Sequence, residues 1–165
     1  MVTTQGVVQI HSAPSALCPH VEWAVGGVVG VPVRLEWTPQ PAERASYRSE
    51  YSWTGPAGTS ARLASALKGW QRLRFEVSEE ATGDSEAVRY SYTPALGVFH
   101  ATLGRHGDVM VHEDRLRAAL ARDALGRRSL HEAVADLLGT AWDDELEVFR
   151  QAGDGADIRW LHQVV

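Results

Sequence analysis

Few residues in this chain announce a chemistry, and each scarcity excludes something. Cys18 is the single cysteine in 165 residues, which rules out an internal disulfide and any multi-cysteine metal cluster. Lys68 is the only lysine among 16 basic residues, against 21 acidic ones and a net charge of -5, so a uniformly basic nucleic-acid binder is not expected. Arginine does suit phosphate and carboxylate recognition, but beside so much Ala and Gly its excess reads first as GC-rich codon usage. The longest nearly unbroken apolar run, residues 24–33, contains three Gly and one Pro, far short of the roughly twenty residues a spanning helix needs. The opening residues lack the basic, apolar and small-residue regions of a signal peptide, so a cytoplasmic setting is expected. There is no internal repeat and no low-complexity segment.

What is present is ordinary globular material, 44% apolar and 22% charged, consistent with one domain over residues 1–165. The alternative is two small domains joined near Thr93 and Pro94. A strand is expected at residues 6–11. A helix follows at 19–29, where Val21, Ala24, Val25 and Val28 fall at i, i+3, i+4 and i+7. Residues 33–38 and 47–53 alternate with period two. Paired antiparallel so that residue numbers sum to 84, they place Arg34 opposite Glu50, Glu36 opposite Arg48, Trp37 opposite Tyr47, and Val33 opposite Tyr51. Residues 39–41 are a loop. Thr59 or Ser60 is expected to cap a second helix carrying Leu63, Ala66, Leu67 and Trp70 inward.

Leu73, Phe75 and Val77 then alternate in a strand whose hairpin partner holds Val88, Tyr90 and Tyr92, bringing Glu76 near Arg89. Two shorter strands are expected at 97–103 and 109–112, joined by a turn at 104–107. The C-terminal third changes period. One helix after Asp114 turns Leu116, Ala119, Leu120 and Ala124 inward. Another, opened by the Ser129/Glu132 capping box, turns in Leu130, Val134, Leu137 and Leu138. A further helix covers 142–149, and a final strand is expected at 158–164. The first half therefore reads β-α-β-β-α-β, a ferredoxin-like α+β order, with a sheet extended by further antiparallel strands and C-terminal helices. Trp23, Trp37, Trp53 and Trp70 are expected in the core.

Three stretches are distinctive: His11-Ser-Ala-Pro-Ser-Ala-Leu-Cys-Pro-His-Val-Glu-Trp23, Trp53-Thr-Gly-Pro-Ala-Gly58 and Ala141-Trp-Asp-Asp-Glu-Leu-Glu-Val-Phe-Arg150. With the closing Trp160-Leu-His162 they make the chain resemble an actinobacterial family of unknown function, domain-of-unknown-function family 3145, over nearly its whole length. The resemblance implies a bacterial, cytoplasmic setting beside fatty-acid synthesis genes, and it carries no established activity, cofactor or catalytic residue.

Cys18, His20 and His11 are the candidate catalytic residues. With Pro19 as first helical residue, Cys18 would stand at the N-cap, where helix N–H groups stabilise a thiolate and a histidine could serve as base. The plainer reading is a buried packing cysteine. Cys18, His20, Glu22, His11, His100, His112 and His162 are all metal-ligand types, but no H-E-x-x-H or paired C-x-x-C spacing organises them, so neither metal nor cofactor is assigned. Gly58, Thr59, Ser60 and Arg62 form a candidate anion cradle at a helix start, without the Gly-Lys-Ser/Thr ending of a P-loop. Arg115 and Arg122, seven apart on one helix face, are candidate partner-binding residues for an acidic protein.

The leading expectation is a binding or regulatory module for a small anion or an acidic protein partner, without nucleic acid and without a membrane span. The alternatives are a Cys18-dependent enzyme and an accessory protein of fatty-acid synthesis that binds acyl carrier protein. These residues set no oligomeric state.

Overall fold

The computed structural model describes residues 2–153. Seven strands form one antiparallel sheet: β1 (Thr3–Pro14), β2 (Thr38–Pro39), β3 (Ser46–Pro56), β4 (Arg74–Glu79), β5 (Ala87–Thr93), β6 (Gly97–Leu103) and β7 (Val109–Met110), in the spatial order β2-β3-β1-β4-β5-β6-β7. The helices are α1 (Cys18–Val29), α2 (Thr59–Leu67), α3 (Glu113–Ala124), α4 (Leu130–Leu138) and α5 (Thr140–Gly153). The first four strands and two helices give the ferredoxin-like split order, with β1 inserted between β3 and β4. The sheet runs on through β5 and β6 without a break at Thr93–Pro94, since Thr93 pairs with Gly97. The strand expected at 158–164 lies outside the described residues.

Because side chains alternate across a strand, the paired registers sort the sheet into two faces. Val8, Ile10, Trp53, Phe75, Val77 and Tyr92 share one face with α1 and α2, and with Val21, Val25, Leu63 and Leu67 they form the main core. Phe75, fully buried, stacks on Tyr92 at 5.0 Å between ring centres. Gly6 is required here, because a Cβ would stand 1.9 Å from the Ser78 carbonyl oxygen and 2.6 Å from the Trp53 ring. The other face carries Gln9, Glu76, Ser91 and Phe99 in one row. There α5 lies across it through Trp142, Leu146 and Phe149: the Trp142 ring stacks on Phe99 at 5.1 Å and its Nε1 donates to the Gly97 carbonyl at 2.9 Å.

Several expectations from the sequence need correction. The β2–β3 register pairs Thr38 with Arg48 and Pro39 with Tyr47, a sum of 86 rather than 84, and residues 33–37 are not in the ladder. That segment turns toward α1 instead: Leu35 is buried in the core, and Trp37 Nε1 donates to Glu22 Oε1 at 3.0 Å. Packing on α1 outweighs the cross-strand charge pairs, which are worth only about 0.2–1 kcal/mol each. Residues 39–41 are more than a connector. Gln40 is buried, and its side-chain amide donates to the carbonyls of His11 (2.7 Å) and Phe149 (3.3 Å), tying the bulged end of β1 to α5. Trp23 is not in the core but 77% exposed. On α3 only Ala119 is buried, while Leu116 and Leu120 face outward, as does Leu138 on α4.

Candidate functional site

Charged and polar side chains meet at several places, and the geometry separates those already engaged within the chain from those left open. The densest cluster centres on Glu76, buried on β4. Its Oε1 faces His11 Nε2 at 2.9 Å and accepts from Arg150 Nε at 2.6 Å. Its Oε2 accepts from Arg150 Nη2 and from Ser91 Oγ, both at 2.8 Å, with Arg89 at 3.5 Å. Burial alone would raise the pKa of this carboxyl. The hydrogen bonds and charges of His11 and Arg150 outweigh it and hold Glu76 well below the usual carboxylate range. Burial opposes the Arg150 charge in the same way, and bonds to Glu76 and Asp143 push its pKa above the ordinary value instead. Both carboxylate oxygens are thus occupied. Next along the same face, Arg74 pairs with Glu43 (2.7 Å) and Glu145 (3.0 Å) and lies over the Phe149 ring at 4.6 Å. Together these groups are a clamp that holds α5 on the sheet. His11, a candidate base in the sequence, is part of it.

Three residues along β4, on the opposite face, Glu79 does the same for α2. Its carboxylate accepts from Gly58 N (3.0 Å), Ser60 N (3.0 Å) and Ser60 Oγ (2.9 Å). The helix is therefore capped from outside its own sequence: Gly58, at φ 94°, is the N-cap residue, and no side chain of its own fills that role. Thr59 Oγ1 donates back to the Pro56 carbonyl at 2.6 Å. At Gly58 and Ser60 the N–H groups of the helix start face an anion of the chain itself, the Glu79 carboxylate. Arg62, the fourth residue of that set, lies exposed with Nη2 3.4 Å from the Val28 carbonyl. Any external anion would have to displace Glu79.

Cys18 is not a helix N-cap. A 3-10 turn (Ser15–Leu17) runs directly into α1, so Leu17 takes the cap and Cys18 is the first helical residue. The thiol is buried and its Sγ donates to the Pro14 carbonyl at 3.6 Å. Burial and then the nearby Glu22 charge push its pKa up, opposite to what an activated nucleophile needs. His20 is exposed with its ring 6.0 Å from Trp70, and His11 is engaged with Glu76. The three candidate catalytic residues are thus drawn to different partners. Of the other histidines, His100 packs against Tyr90 at 4.8 Å and His112 Nε2 lies 3.4 Å from Thr102 Oγ1. Among the described residues no group of three His, Cys, Asp or Glu side chains is arranged to hold a metal. His162 lies outside those residues.

The α3–α4 hairpin is built differently. Ser129 caps α4 by accepting from Glu132 N at 3.2 Å, as the capping box predicts. The C-terminal stop is Gly139, at φ 73°, whose missing Cβ leaves room for the Phe99 ring. Between the helices lies a small core of Ala119, Ala133 and Leu137, with Val111 and Leu130 against it. Outside it the surface is apolar: Leu116, Leu120 (54% exposed), Leu125 (66% exposed) and Leu138 stand in solvent, and Leu130, Val134 and Leu138 line a shallow apolar groove of about 560 Å³.

Most acids of this arm are already engaged. Glu113 pairs with Arg117, Asp136 and Glu132 with Arg128, and Asp123 accepts from Leu130 N at 3.1 Å. Arg115, Arg122 and Arg127 make no ion pair among the described residues. Burial, and after it the Arg115 charge, keep the His100 pKa down. The sequence singled out Arg115 and Arg122 but missed the exposed leucines of the same helix, having turned Leu116 and Leu120 inward.

A ferredoxin-like α+β body with an appended helical hairpin, then, is the class of protein that fold and site define. A family described as a protein of unknown function, DUF3145, has a model that matches residues 7–163. The chain belongs to that family. No curated protein and no solved structure matches it. No helix among the described residues is long and apolar enough to cross a membrane.

Proposed function

We propose that this chain is a bacterial, cytoplasmic binding module whose docking surface is the α3–α4 arm and whose partner is an acidic protein. One observation carries the reading: the arm that exposes Leu116, Leu120 and Leu125 also carries Arg115, Arg122 and Arg127, none of which has an ion-pair partner among the described residues. Leucines that leave water on contact supply affinity. Arginines at the rim steer an acidic partner into place and select against a basic one. The body supports this arrangement by using its own buried charges internally, so that Glu76 and Glu79 hold helices rather than ligands. The fatty-acid synthesis setting that the family resemblance implies makes acyl carrier protein the first candidate partner.

The test is a titration of acyl carrier protein into the isotope-labelled chain, followed by amide chemical shifts. Shifts should be confined to α3, α4 and the turn between them, and binding should weaken as salt rises. Reversing both Arg115 and Arg122 to Glu should lower affinity by about tenfold or more. No saturable shifts, binding indifferent to salt, or shifts centred on the strands would each reject the proposal.

A further inference from the structure

His11 is the extra residue of a bulge in β1. On the β4 side Ile10 pairs with Phe75 and Ser12 already with Arg74, and on the β3 side the register steps from Ile10–Ser49 to Ala13–Tyr47. Bulges re-aim the side chain they carry and recur next to functional sites. The imidazole here is 7% exposed, and the clamp on α5 uses only one of its two nitrogens. Glu76 is an ionised carboxylate that can only accept, so its 2.9 Å contact requires the proton on His11 Nε2. In the neutral ring Nδ1 then bears the lone pair. Nδ1 makes no hydrogen bond among the described residues, yet it is not one of the buried polar atoms left without a partner, which are Ser46 Oγ, Ser49 Oγ, Trp53 Nε1 and Arg89 Nε. It therefore reaches a surface.

That surface is a hollow of about 330 Å³ bounded by β1, β2, β3 and α5 and lined mainly by polar side chains. Its size is at the lower end of small-molecule sites, roughly 300–1,000 Å³. Of its two arginines, Arg150 is already balanced by Glu76, Asp143 and Glu147. Arg48 is half-buried and makes no ion pair among the described residues. Glu36 and Glu50 stand exposed at the rim, and Glu50 only accepts from Gln9 Nε2 at 3.3 Å. The hollow thus offers one uncommitted cation, one ring lone pair and two carboxylates. An acyl chain finds little apolar surface there, and a phosphate dianion would face the rim acids. A small molecule that carries both a carboxylate and an ammonium meets each group with its opposite.

We propose that this hollow binds a free α-amino acid, whose carboxylate pairs with Arg48 and whose ammonium donates to His11 Nδ1 beside the rim carboxylates. An ammonium group donates and cannot accept, so it needs the tautomer that Glu76 imposes. Glu76 is then a positioning residue: the contact that seats α5 also presents Nδ1 as an acceptor. The site belongs to the sheet and α5, apart from the α3–α4 arm, and neither proposal needs the other.

Nuclear magnetic resonance of the full chain with nitrogen-labelled histidine tests it, as each standard amino acid is titrated in turn. The free protein should show the His11 proton on Nε2 and none on Nδ1. At least one amino acid should give saturable shifts of the His11 ring and of the Arg48 and Glu50 amides. Its methyl ester, which lacks the carboxylate charge, and the matching hydroxy acid, which lacks the ammonium, should each bind about tenfold more weakly or worse. Arg48→Gln should have an effect of the same size while circular dichroism shows the fold intact. The proposal is overturned by a His11 ring protonated on Nδ1 alone, by no saturable shifts with any amino acid, by a hydroxy acid or inorganic phosphate binding as tightly, or by an affinity indifferent to Arg48→Gln.

Discussion

Strand β4 and helix α3 are both rich in charge, yet they use it in opposite ways. On β4, Glu76 and Glu79 are buried on opposite faces, and each carboxylate is engaged by groups that include those of a helix it holds in place. On α3, Arg115 and Arg122 stand in solvent, Leu116 and Leu120 are exposed as well, and the helix buries only Ala119. A charge taken out of water persists only when every bond it needs is supplied, so the first arrangement is architecture. A charge left in water beside uncovered apolar surface costs the fold little and is free to meet something else. The contrast separates a body that satisfies itself from an arm that does not.

Four predictions break or sharpen that contrast. The largest effect belongs to the body's core: Phe75→Ala should cost about 3–5 kcal/mol, read from the denaturant midpoint. Glu76→Gln should cost about 3 kcal/mol, because it takes from Arg150 its one buried carboxylate partner and leaves it only the more exposed Asp143 and Glu147. Its pH dependence has a definite sign. The folded pKa of Glu76 lies below the unfolded one, so its contribution is complete above the usual carboxylate range, near pH 4.3, and is lost as the pH falls through that range toward the folded value. The wild-type chain should therefore lose stability below about pH 5 more steeply than Glu76→Gln.

Glu79→Ala should cost about 1–2 kcal/mol, the size of a lost helix cap, with α2 amides near Ser60 exchanging faster. The smallest change in stability is expected in the arm. Leu120→Ala and Arg122→Ala should each stay within about 0.5 kcal/mol, yet each should weaken partner binding measured by titration. A large loss of stability from either arm substitution would erase the distinction between the two regions.

The order of elements was legible because two periods dominate the sequence. Residues of period two fall where the strands are, except at 33–37, and the stripes on α1 and α2 mark the core-facing sides. The capping box at Ser129 and the proximity of Glu76 to Arg89 were legible for the same local reasons. What was not legible depends on distant segments. Glu76 is clamped by Arg150, 74 residues away, and α2 is capped by Glu79, 19 residues beyond Ser60. No local pattern carries either fact.

The pairing of 33–38 with β3 failed by two residues because charge matching was a weaker constraint than the seat that α1 offers Leu35 and Trp37. Trp23 was misplaced by residue type: it lies off the stripe of Val21, Ala24, Val25 and Val28, and that period already pointed it outward. Of the candidate site, Arg115 and Arg122 could be read from their spacing. The leucines could not, since an apolar stripe looks the same whether the element that covers it is in the chain or in a partner.

Residue-resolved hydrogen exchange, with and without acyl carrier protein, tests the division most directly. In the free chain, amides of α3 and α4 should open with free energies well below those of β1 and β4, which should exchange only through global unfolding. Adding the partner should raise protection in α3 and α4 while leaving the strands unchanged. Equal protection across arm and body in the free chain, or a gain on binding centred on the sheet, would contradict the account.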